Sequence, residues 1–302
     1  MLPFARVAII GLGLIGSSIA RAVRAEMPSV RLTGHDLDPE VRATAERIGL
    51  VNDVADHPGA AVTDADLVIL CVPVGAMGSI AAEIAPDLPG DAIVSDVGSC
   101  KAEVARALAH SLPGATVVPA HPVAGTERSG PEAGFATLFH RRWCILTPDK
   151  GTPEIAVERV ATFWRRLGAE VERMTPEHHD RVLAVTSHLP HLIAYTIVGT
   201  ASDLEEVTQG EVIKYSAGGF RDFTRIAASD PTMWRDVFLT NREAVLEMLQ
   251  RFSEDLTALQ RAIRVGAGDQ LHDHFTRTRA IRRSIVEQGQ DDARPDFGRA
   301  HD

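Results

Sequence analysis

The sequence predicts an α/β fold in which a doubly wound parallel sheet is followed by an all-α domain. Short β-branched runs alternate with helical patterns up to about residue 174, as expected for parallel strands joined by crossover helices. Thr-Pro-Glu at 175–177 then combines a hydroxyl cap, an early proline and an acid, which are signals of a helix start. We therefore predict domains at 1–174 and 175–288 and a polar, disordered tail at 289–302.

Seven runs rich in β-branched residues are the predicted strands of the first domain, and a helix is expected at 153–167 between the last two. The strands are predicted at 5–10, 30–36, 66–72, 91–97, 115–121, 143–148 and 169–174. The last two runs extend the rhythm of strand and helix that the first five establish.

A second helix start, Ser229-Asp230-Pro231, opens a helix that the pattern extends past thirty residues. An apolar stripe with alternating spacings of four and three runs along it: Val245, Leu249, Phe252, Leu256, Leu259 and Ile263. Such a stripe requires a partner helix, which belongs either to the core of the same chain or to a second copy. Glycines at 266 and 268 end this helix, and Asp269 is expected to cap a last one to about Val286.

Composition and charge exclude several classes of function. The 302 residues carry a formal net charge of −10, which repels nucleic acid and anionic lipid. The apolar stretch at 7–20 is too short and too rich in glycine to cross a bilayer. The three cysteines are odd in number and far apart, so neither a disulfide framework nor a zinc ribbon is indicated. We expect a cytoplasmic protein that binds neither nucleic acid nor membrane.

A glycine-rich turn, Gly-Leu-Gly-Leu-Ile-Gly at 11–16, follows the first predicted strand and opens a helix. This context makes G-x-G-x-x-G a dinucleotide-binding signature. Gly11 permits the tight turn, Gly13 lets the backbone approach a pyrophosphate, and Gly16 lets the helix pack against the strand. Leu14 and Ile15 complete the turn, and the helix N-terminus presents free N–H groups to the anion. We therefore predict a Rossmann-type nucleotide site.

Residues at two other strand ends complete the predicted cofactor site. Asp36 comes twenty residues after Gly16, where a carboxylate accepts hydrogen bonds from the adenosine ribose and repels a 2′-phosphate. The expected cofactor is therefore NAD rather than NADP. Val72 and Pro73 end the third predicted strand, where they either line the cofactor cleft or only terminate the strand.

Polar side chains at further strand ends could perform redox chemistry with this cofactor. An alcohol that NAD oxidises loses its hydroxyl proton as the hydride leaves, so the site needs a base that titrates near neutrality. His121 suits this task, and Ser99 could hydrogen-bond either the base or the ligand. A histidine at a strand end can equally have a purely structural role.

The segment Ser-His-Leu-Pro-His at 187–191 offers groups for the substrate side. Ser187 and His191 are four residues apart and share a helical face, and Pro190 is expected to kink the helix. Neither a third zinc ligand at a suitable spacing nor a G-x-S-x-G elbow accompanies them. The segment is therefore interpreted as an anion-binding face, without a metal.

Two arginines at 218–225 could bind the carboxylate of such a substrate. The segment reads Gly-Gly-Phe-Arg-Asp-Phe-Thr-Arg and places Arg221 and Arg225 after a flexible glycine pair. A guanidinium can hold a carboxylate by two hydrogen bonds. Either arginine could instead form an ion pair with Asp222 or Glu127.

Four motifs in this order resemble the prephenate and arogenate dehydrogenase family of tyrosine biosynthesis. They are Asp-Val-Gly-Ser-Cys-Lys at 96–101, His-Pro-Val-Ala-Gly-Thr-Glu at 121–127, Thr-Ser-His-Leu-Pro-His at 186–191, and the glycine-arginine segment followed by Ser-Asp-Pro-Thr-Met-Trp-Arg-Asp at 229–236. The resemblance spans about residues 5 to 285. It implies an NAD-dependent oxidative decarboxylation, in which a ring carboxylate leaves as carbon dioxide, and a homodimer formed through the helical domain.

The resemblance also implies roles for individual residues. His121 matches the histidine that hydrogen-bonds the reacting hydroxyl, and Ser99 matches the serine that links it to the nicotinamide and the substrate. The matches on the substrate side are Ser187, His191, Trp234 and Arg225, of which the arginine binds a carboxylate. Glu127 and Asp222 match acids that form an ion network at the mouth of the pocket.

Two other functions stay open from the sequence. One is a dehydrogenase of small β-hydroxy acids, but such enzymes typically place a catalytic lysine on a helix, and 186–191 has no lysine. The other is a dinucleotide-sensing regulator without catalysis, which would not need the reactive side chains that the four motifs supply. The motifs leave open whether prephenate or arogenate is preferred.

Overall fold

The computed structural model describes residues 2–126, 128–204 and 218–287. The predictions for Glu127 and for the tail at 289–302 lie outside the described residues. Two units are each compact, one up to Val245 and one from Leu246 onward. The predicted division between residues 174 and 175 stays a prediction.

A six-stranded parallel sheet forms the centre of the first unit. Its strands are β1 Arg6–Ile10, β2 Arg31–His35, β3 Asp53–Val54, β4 Leu67–Leu70, β5 Ile93–Asp96 and β6 Thr116–Val117. Their order across the sheet is β3-β2-β1-β4-β5-β6, with Val7 opposite both Leu32 and Leu67. The direction of winding therefore reverses between β1 and β4, where open sheets of this type bind ligands.

Helices cover both faces of this sheet. They are α1 Leu14–Glu26, α2 Pro39–Arg47, α3 Pro58–Val62, α4 Met77–Ile84, α5 Ala102–Ser111 and α6 Glu154–Arg166. Because side chains alternate along a strand, Ile9 packs into the core that contains Trp164 of α6, whereas Ile10 packs into the core that contains Leu108 of α5. The predicted doubly wound sheet is confirmed.

A second, three-stranded sheet departs from the prediction. It contains β7 Ala120–Pro122, β8 Trp143–Leu146 and β9 Glu170–Arg173, with β7 antiparallel to β8. The single strand predicted at 115–121 is therefore wrong, because Val118 and Pro119 separate β6 in the large sheet from β7 in the small one. The predicted strands at 143–148 and 169–174 correspond to β8 and β9, which belong to the small sheet and do not extend the large one.

After β9 the described chain is helical, as predicted. Its helices are α7 Pro176–Leu183, α8 Leu189–Asp203, α9 Gly218–Thr224, α10 Pro231–Thr240, α11 Arg242–Arg264 and α12 Gly268–Glu287. Both predicted helix starts are present: the Thr175 hydroxyl accepts a hydrogen bond from His178 N at 3.2 Å, and Asp230 accepts one from Met233 N at 2.8 Å. Asp269 lies in the first turn of α12 rather than at its cap.

Two helical predictions are corrected. The helix expected to run past thirty residues ends at Thr240, and a separate helix starts at Arg242. Asn241 between them is buried, and its side-chain amide donates to Asp180 O at 2.8 Å. The irregularity expected at Pro190 is a π-helical turn at Ala184–His188, after which proline fits the first turn of α8.

The stretch Pro176–Asp203, which spans α7, the π-helical turn and α8, is long and apolar enough to cross a membrane by length and composition alone. Core helices of soluble proteins satisfy the same criterion. This stretch also buries the polar side chains His179, Asp180 and His188.

Candidate active site

The glycine turn lies where the chain leaves β1 at the switch point of the sheet. Gly11 has a φ of +99°, and a Cβ there would lie 2.4 Å from Cys71 O. A Cβ on Gly16 would lie 1.9 Å from Gly11 O, so both positions require glycine. Gly13, which caps the N-terminus of α1, faces open space instead. The turn therefore leaves room for a ligand at the N-terminus of α1, and no acidic side chain in the first turn of this helix would repel an anion there.

The other residues of the predicted cofactor site surround this turn. Asp36 accepts hydrogen bonds from Leu12 N at 2.7 Å and from Asp38 N at 3.0 Å, so its carboxylate lies beside the turn. Leu14 and Ile15 are half-buried in the first turn of α1. Val72 and Pro73 follow β4 on the other side, with Val72 next to Gly11.

A buried chain of hydrogen bonds starts at His121 in β7. His121 Nδ1 lies 2.8 Å from His179 Nε2, and His179 Nδ1 lies 2.8 Å from Asp180 Oδ1. His121 is 8% exposed and His179 is fully buried. His121 is therefore bound to His179 and, through it, to Asp180. It lies within β7 of the small sheet rather than at the end of a parallel strand, where it was predicted, because the chain leaves the large sheet after Val117.

Asp180 connects α7 to the segment that carries Ser99. Its carboxylate accepts hydrogen bonds from Lys101 N at 2.7 Å and from Ala102 N at 3.0 Å. Ser99 is half-buried in this segment, between β5 and α5. Asp180 thus fixes both His179 and the backbone two residues beyond Ser99.

A buried ion pair lies between the two strand ends of the site. Lys101 Nζ donates to Asp96 Oδ2 and, at 2.7 Å, to Ala120 O, and both charged side chains are fully buried. Asp96 also accepts from Gly98 N at 2.8 Å. The ammonium group therefore joins the end of β5 to β7 at the residue before His121.

An aromatic wall is formed by side chains from α8 and α10. The ring of His191 stacks on that of Trp234, with centroids 3.7 Å apart and planes inclined by 24°. His191 Nδ1 donates to Ser187 O at 2.9 Å, across the π-helical turn. Trp234 is buried against Cys100, next to Ser99. Three predicted substrate residues, Ser187, His191 and Trp234, are therefore close to one another.

The predicted basic and acidic groups of the substrate side are more exposed. Arg225 lies in the turn after α9, and its charge acts on His191. Burial, followed by this charge, lowers the pKa of His191, although a hydrogen bond to Ser187 opposes them. Asp222 is exposed on α9. Nothing is described for Glu127, so the ion network stays a prediction.

Burial keeps the histidines of the site neutral. It is the main cause that lowers the pKa of His121, and the nearby charges of His179, Lys101 and His188 act in the same direction. Burial also lowers the pKa of His188 to about 4, against the opposing effect of Asp180. A neutral imidazole is the form that can accept a proton.

Comparison with known proteins agrees with the sequence motifs. A model described as the nucleotide-binding domain of prephenate dehydrogenase matches residues 19–173, and one described as its dimerization domain matches residues 175–277. The chain belongs to the prephenate dehydrogenase family. The resemblance seen in the motifs is thereby confirmed.

Several relatives in this family are similar along most of their length. A cyclohexadienyl dehydrogenase of Zymomonas mobilis is 47% identical over 94% of this chain and 97% of its own. A prephenate dehydrogenase of Bacillus subtilis is 34% identical over 88% of this chain and 72% of its own. The crystal structure of an A. aeolicus prephenate dehydrogenase with hydroxyphenyl propionate and NAD⁺ is 36% identical, with a TM-score of 0.87 over 94% of this chain and 98% of that one.

No role was predicted from the sequence for several buried polar residues that organise the site of this prephenate dehydrogenase family member, although two of them lie within the four motifs. They are Lys101, His179, Asp180, His188 and Asn241. A signal for two of them exists in α7, where His179 and Asp180 occupy the same helical stripe as the buried Pro176 and Leu183. Among the described residues, no group of three or more His, Cys, Asp or Glu could hold a metal ion.

Proposed function

We propose that this protein catalyses the NAD-dependent oxidative decarboxylation of prephenate, of arogenate or of both, as a step of tyrosine biosynthesis. The observation that carries the proposal is the buried His121 in β7, whose Nδ1 lies 2.8 Å from His179 Nε2. The names of the similar proteins support the substrate class. We also propose that residues 1–174 bind the cofactor and 175–288 the substrate.

The cofactor site fits a dinucleotide. Gly13 has no Cβ and faces open space at the N-terminus of the 13-residue helix α1, where backbone N–H groups and the helix dipole favour a pyrophosphate. The carboxylate of Asp36 at the end of β2 suits ribose hydroxyls and disfavours a 2′-phosphate. Gly11, Leu14, Ile15, Gly16, Val72 and Pro73 would complete the contact surface.

NAD held there by the glycine turn and Asp36 would supply the nicotinamide ring as the acceptor of a hydride from the ring carbon bearing the substrate hydroxyl. His121 accepts the hydroxyl proton as the hydride leaves, and Ser99 orients the reacting oxygen. The bond to the ring carboxylate breaks, carbon dioxide departs, and its electron pair enters the ring, which becomes aromatic. His121 then returns the proton to the oxygen. Because aromatisation is strongly favourable, alignment and a proton acceptor suffice.

The anionic substrate is bound by groups of the helical segment. The stacked pair His191 and Trp234 provides a flat apolar wall for the ring. Arg225, whose charge acts on His191, forms charge-assisted hydrogen bonds with a carboxylate. Ser187 lies next to His191, which donates a hydrogen bond to its backbone carbonyl. Glu127 and Asp222 are proposed to pair with basic groups at the pocket mouth.

We further propose that the protein is a cytoplasmic homodimer. The predicted apolar stripe is only partly covered within one chain, since Leu256 and Ile263 are exposed. Exposed apolar rows on long helices are typical of dimer interfaces. All three cysteines are free, which fits a reducing compartment.

The function is tested by following reduced-nicotinamide formation by the purified protein. Prephenate and arogenate are each offered with NAD and with NADP. We expect turnover with at least one substrate in the presence of NAD and much slower turnover with NADP. If the protein is folded and binds NAD but forms no reduced nicotinamide in any of the four mixtures, the proposal is contradicted.

Arg225→Ala is expected to raise the apparent KM for the substrate roughly 10–150-fold, because a charge-assisted hydrogen bond is lost. We expect a smaller change in kcat and none in the affinity for NAD. Arg221→Ala is the matched control, since Arg221 is exposed on the same segment, and its KM should stay close to the wild-type value. Equal effects of the two substitutions on KM would remove Arg225 from its proposed role.

A further inference from the structure

The carboxylate of Asp180 determines the direction of the hydrogen-bond chain that ends at His121. Burial acts to raise the pKa of Asp180, but hydrogen bonds from His179, Ala102 and Lys101 outweigh it, so that the pKa is lowered. Asp180 is therefore ionised at neutral pH and can only accept hydrogen bonds. His179 Nδ1, which lies 2.8 Å from Asp180 Oδ1, must carry a proton.

The tautomer of His179 then determines that of His121. Burial lowers the pKa of His179 despite the opposing hydrogen bond to Asp180, so its ring is neutral and carries a single N–H. With that proton on Nδ1, His179 Nε2 is an acceptor. His121 Nδ1, at 2.8 Å, must donate to it. The remaining nitrogen of His121, Nε2, has a free lone pair.

We propose that His179 is a positioning residue that fixes His121 as the Nδ1–H tautomer, so that Nε2 is the atom which accepts the substrate's proton. This inference rests on the proposed function for its catalytic consequence, but the tautomer itself is a property of the ligand-free protein. Without this chain, a buried neutral imidazole could carry its proton on Nε2 and would offer no base to the substrate.

Asn241 holds Asp180 in the orientation that the chain requires. One side-chain atom of Asn241 lies 2.8 Å from Asp180 O. Because a backbone carbonyl oxygen can only accept, this atom is the amide nitrogen, which donates. The same nitrogen lies 3.1 Å from His188 Nδ1, which must therefore accept. The side chain of Asp180 is bound by Lys101 N and Ala102 N, and its backbone by Asn241. Both ends of the residue are thus fixed.

The charged and titratable groups that face the two histidines come from three elements. His179 on α7, Lys101 after β5 and His188 in the π-helical turn act on His121. Asp180, Lys101 and Asp96 act on His179. Because His179 is neutral, it acts on His121 through the hydrogen bond that its Nε2 accepts.

The tautomer is measured directly by NMR of the full chain labelled with ¹⁵N-histidine, without ligand. The spectrum of His121→Asn identifies the signals of His121 among the 12 histidines. We expect a protonated Nδ1 and an unprotonated Nε2 for both His121 and His179 at neutral pH. A protonated Nε2 on His121 would overturn the proposal. The readout requires no turnover, so it decides the tautomer even if both candidate substrates prove inactive.

The catalytic consequence is measured with two substitutions at 179. His179→Gln keeps a carbonyl acceptor for His121 and a donor for Asp180, whereas His179→Leu removes both. We expect kcat to fall about 10-fold in H179Q and about 10²–10³-fold in H179L, with the affinity for NAD and the substrate KM nearly unchanged.

The matched control is His178→Gln, since His178 is the exposed neighbour of His179 on the same helix. It should keep the wild-type kcat and pH profile. A purely structural role of His179 would lower kcat equally in H179Q and H179L, and this result would overturn the proposal. If the wild-type protein itself shows no turnover, the proposed function fails, while the NMR result still stands.

Discussion

Replacement of His121 by asparagine is expected to lower kcat about 10²–10⁴-fold, which is the usual loss when a general base is removed. The affinity for NAD should be unchanged, because the glycine turn and Asp36 lie on other elements. The measurement is initial-rate kinetics with saturating substrate and cofactor, together with a separate titration of NAD binding. Wild-type turnover in H121N would exclude His121 as the base.

The pH dependence of the wild-type enzyme provides an independent check on His121. The proposed base is the neutral imidazole of His121, and burial, with the neighbouring groups His179, Lys101 and His188, lowers its pKa below the usual 6.5. Turnover should therefore persist as the pH falls to 6.5 and decline only as it passes through the lowered pKa. An acidic limb centred above 6.5 would contradict this assignment.

Lys101→Met is expected to destabilise the protein by about 3–5 kcal/mol, because it leaves the buried carboxylate of Asp96 without its cation. Both partners are fully buried; Lys101 binds Oδ2 of Asp96, and among the described residues Oδ1 has no hydrogen-bond partner. The free energy of unfolding is measured by urea denaturation at a fixed protomer concentration.

Two variants control this measurement. The double substitution D96N/K101M removes both charges and should recover a large part of the lost stability. Arg31→Met breaks an exposed ion pair, in which Arg31 is 65% and Asp53 49% exposed, and should cost less than about 1 kcal/mol. A loss of similar size in K101M and R31M would show that the buried pair is not essential.

The large parallel sheet was predictable because β1, β4 and β5 are mostly apolar runs of four or five residues between helical patterns. β3 was missed because its two residues, Asp53 and Val54, are too short to show a period. The strand predicted at 115–121 failed for another reason. The pattern of apolar residues predicts that a segment is extended but not which strand it pairs with. Val118 and Pro119 separate β6, which pairs with β5, from β7, which pairs with β8.

The candidate site was predictable where chemistry follows a motif. Gly11, Gly13 and Gly16 were predicted from their spacing, and His121 from a strand end that the structure instead places within β7. The supporting residues were not found, because their roles depend on contacts between segments far apart in sequence. Asn241 illustrates this: it interrupts a helix whose apolar period predicts no break, and its side chain binds Asp180, sixty-one residues earlier.

The measurement that tests the central claim most directly is the stoichiometry of carbon dioxide and reduced nicotinamide. The purified protein is incubated with NAD and with prephenate or arogenate, and both products are quantified in the same reaction. Oxidative decarboxylation predicts equal amounts of carbon dioxide and NADH at every time point. Formation of NADH without release of carbon dioxide would contradict it and would indicate a simple alcohol dehydrogenase.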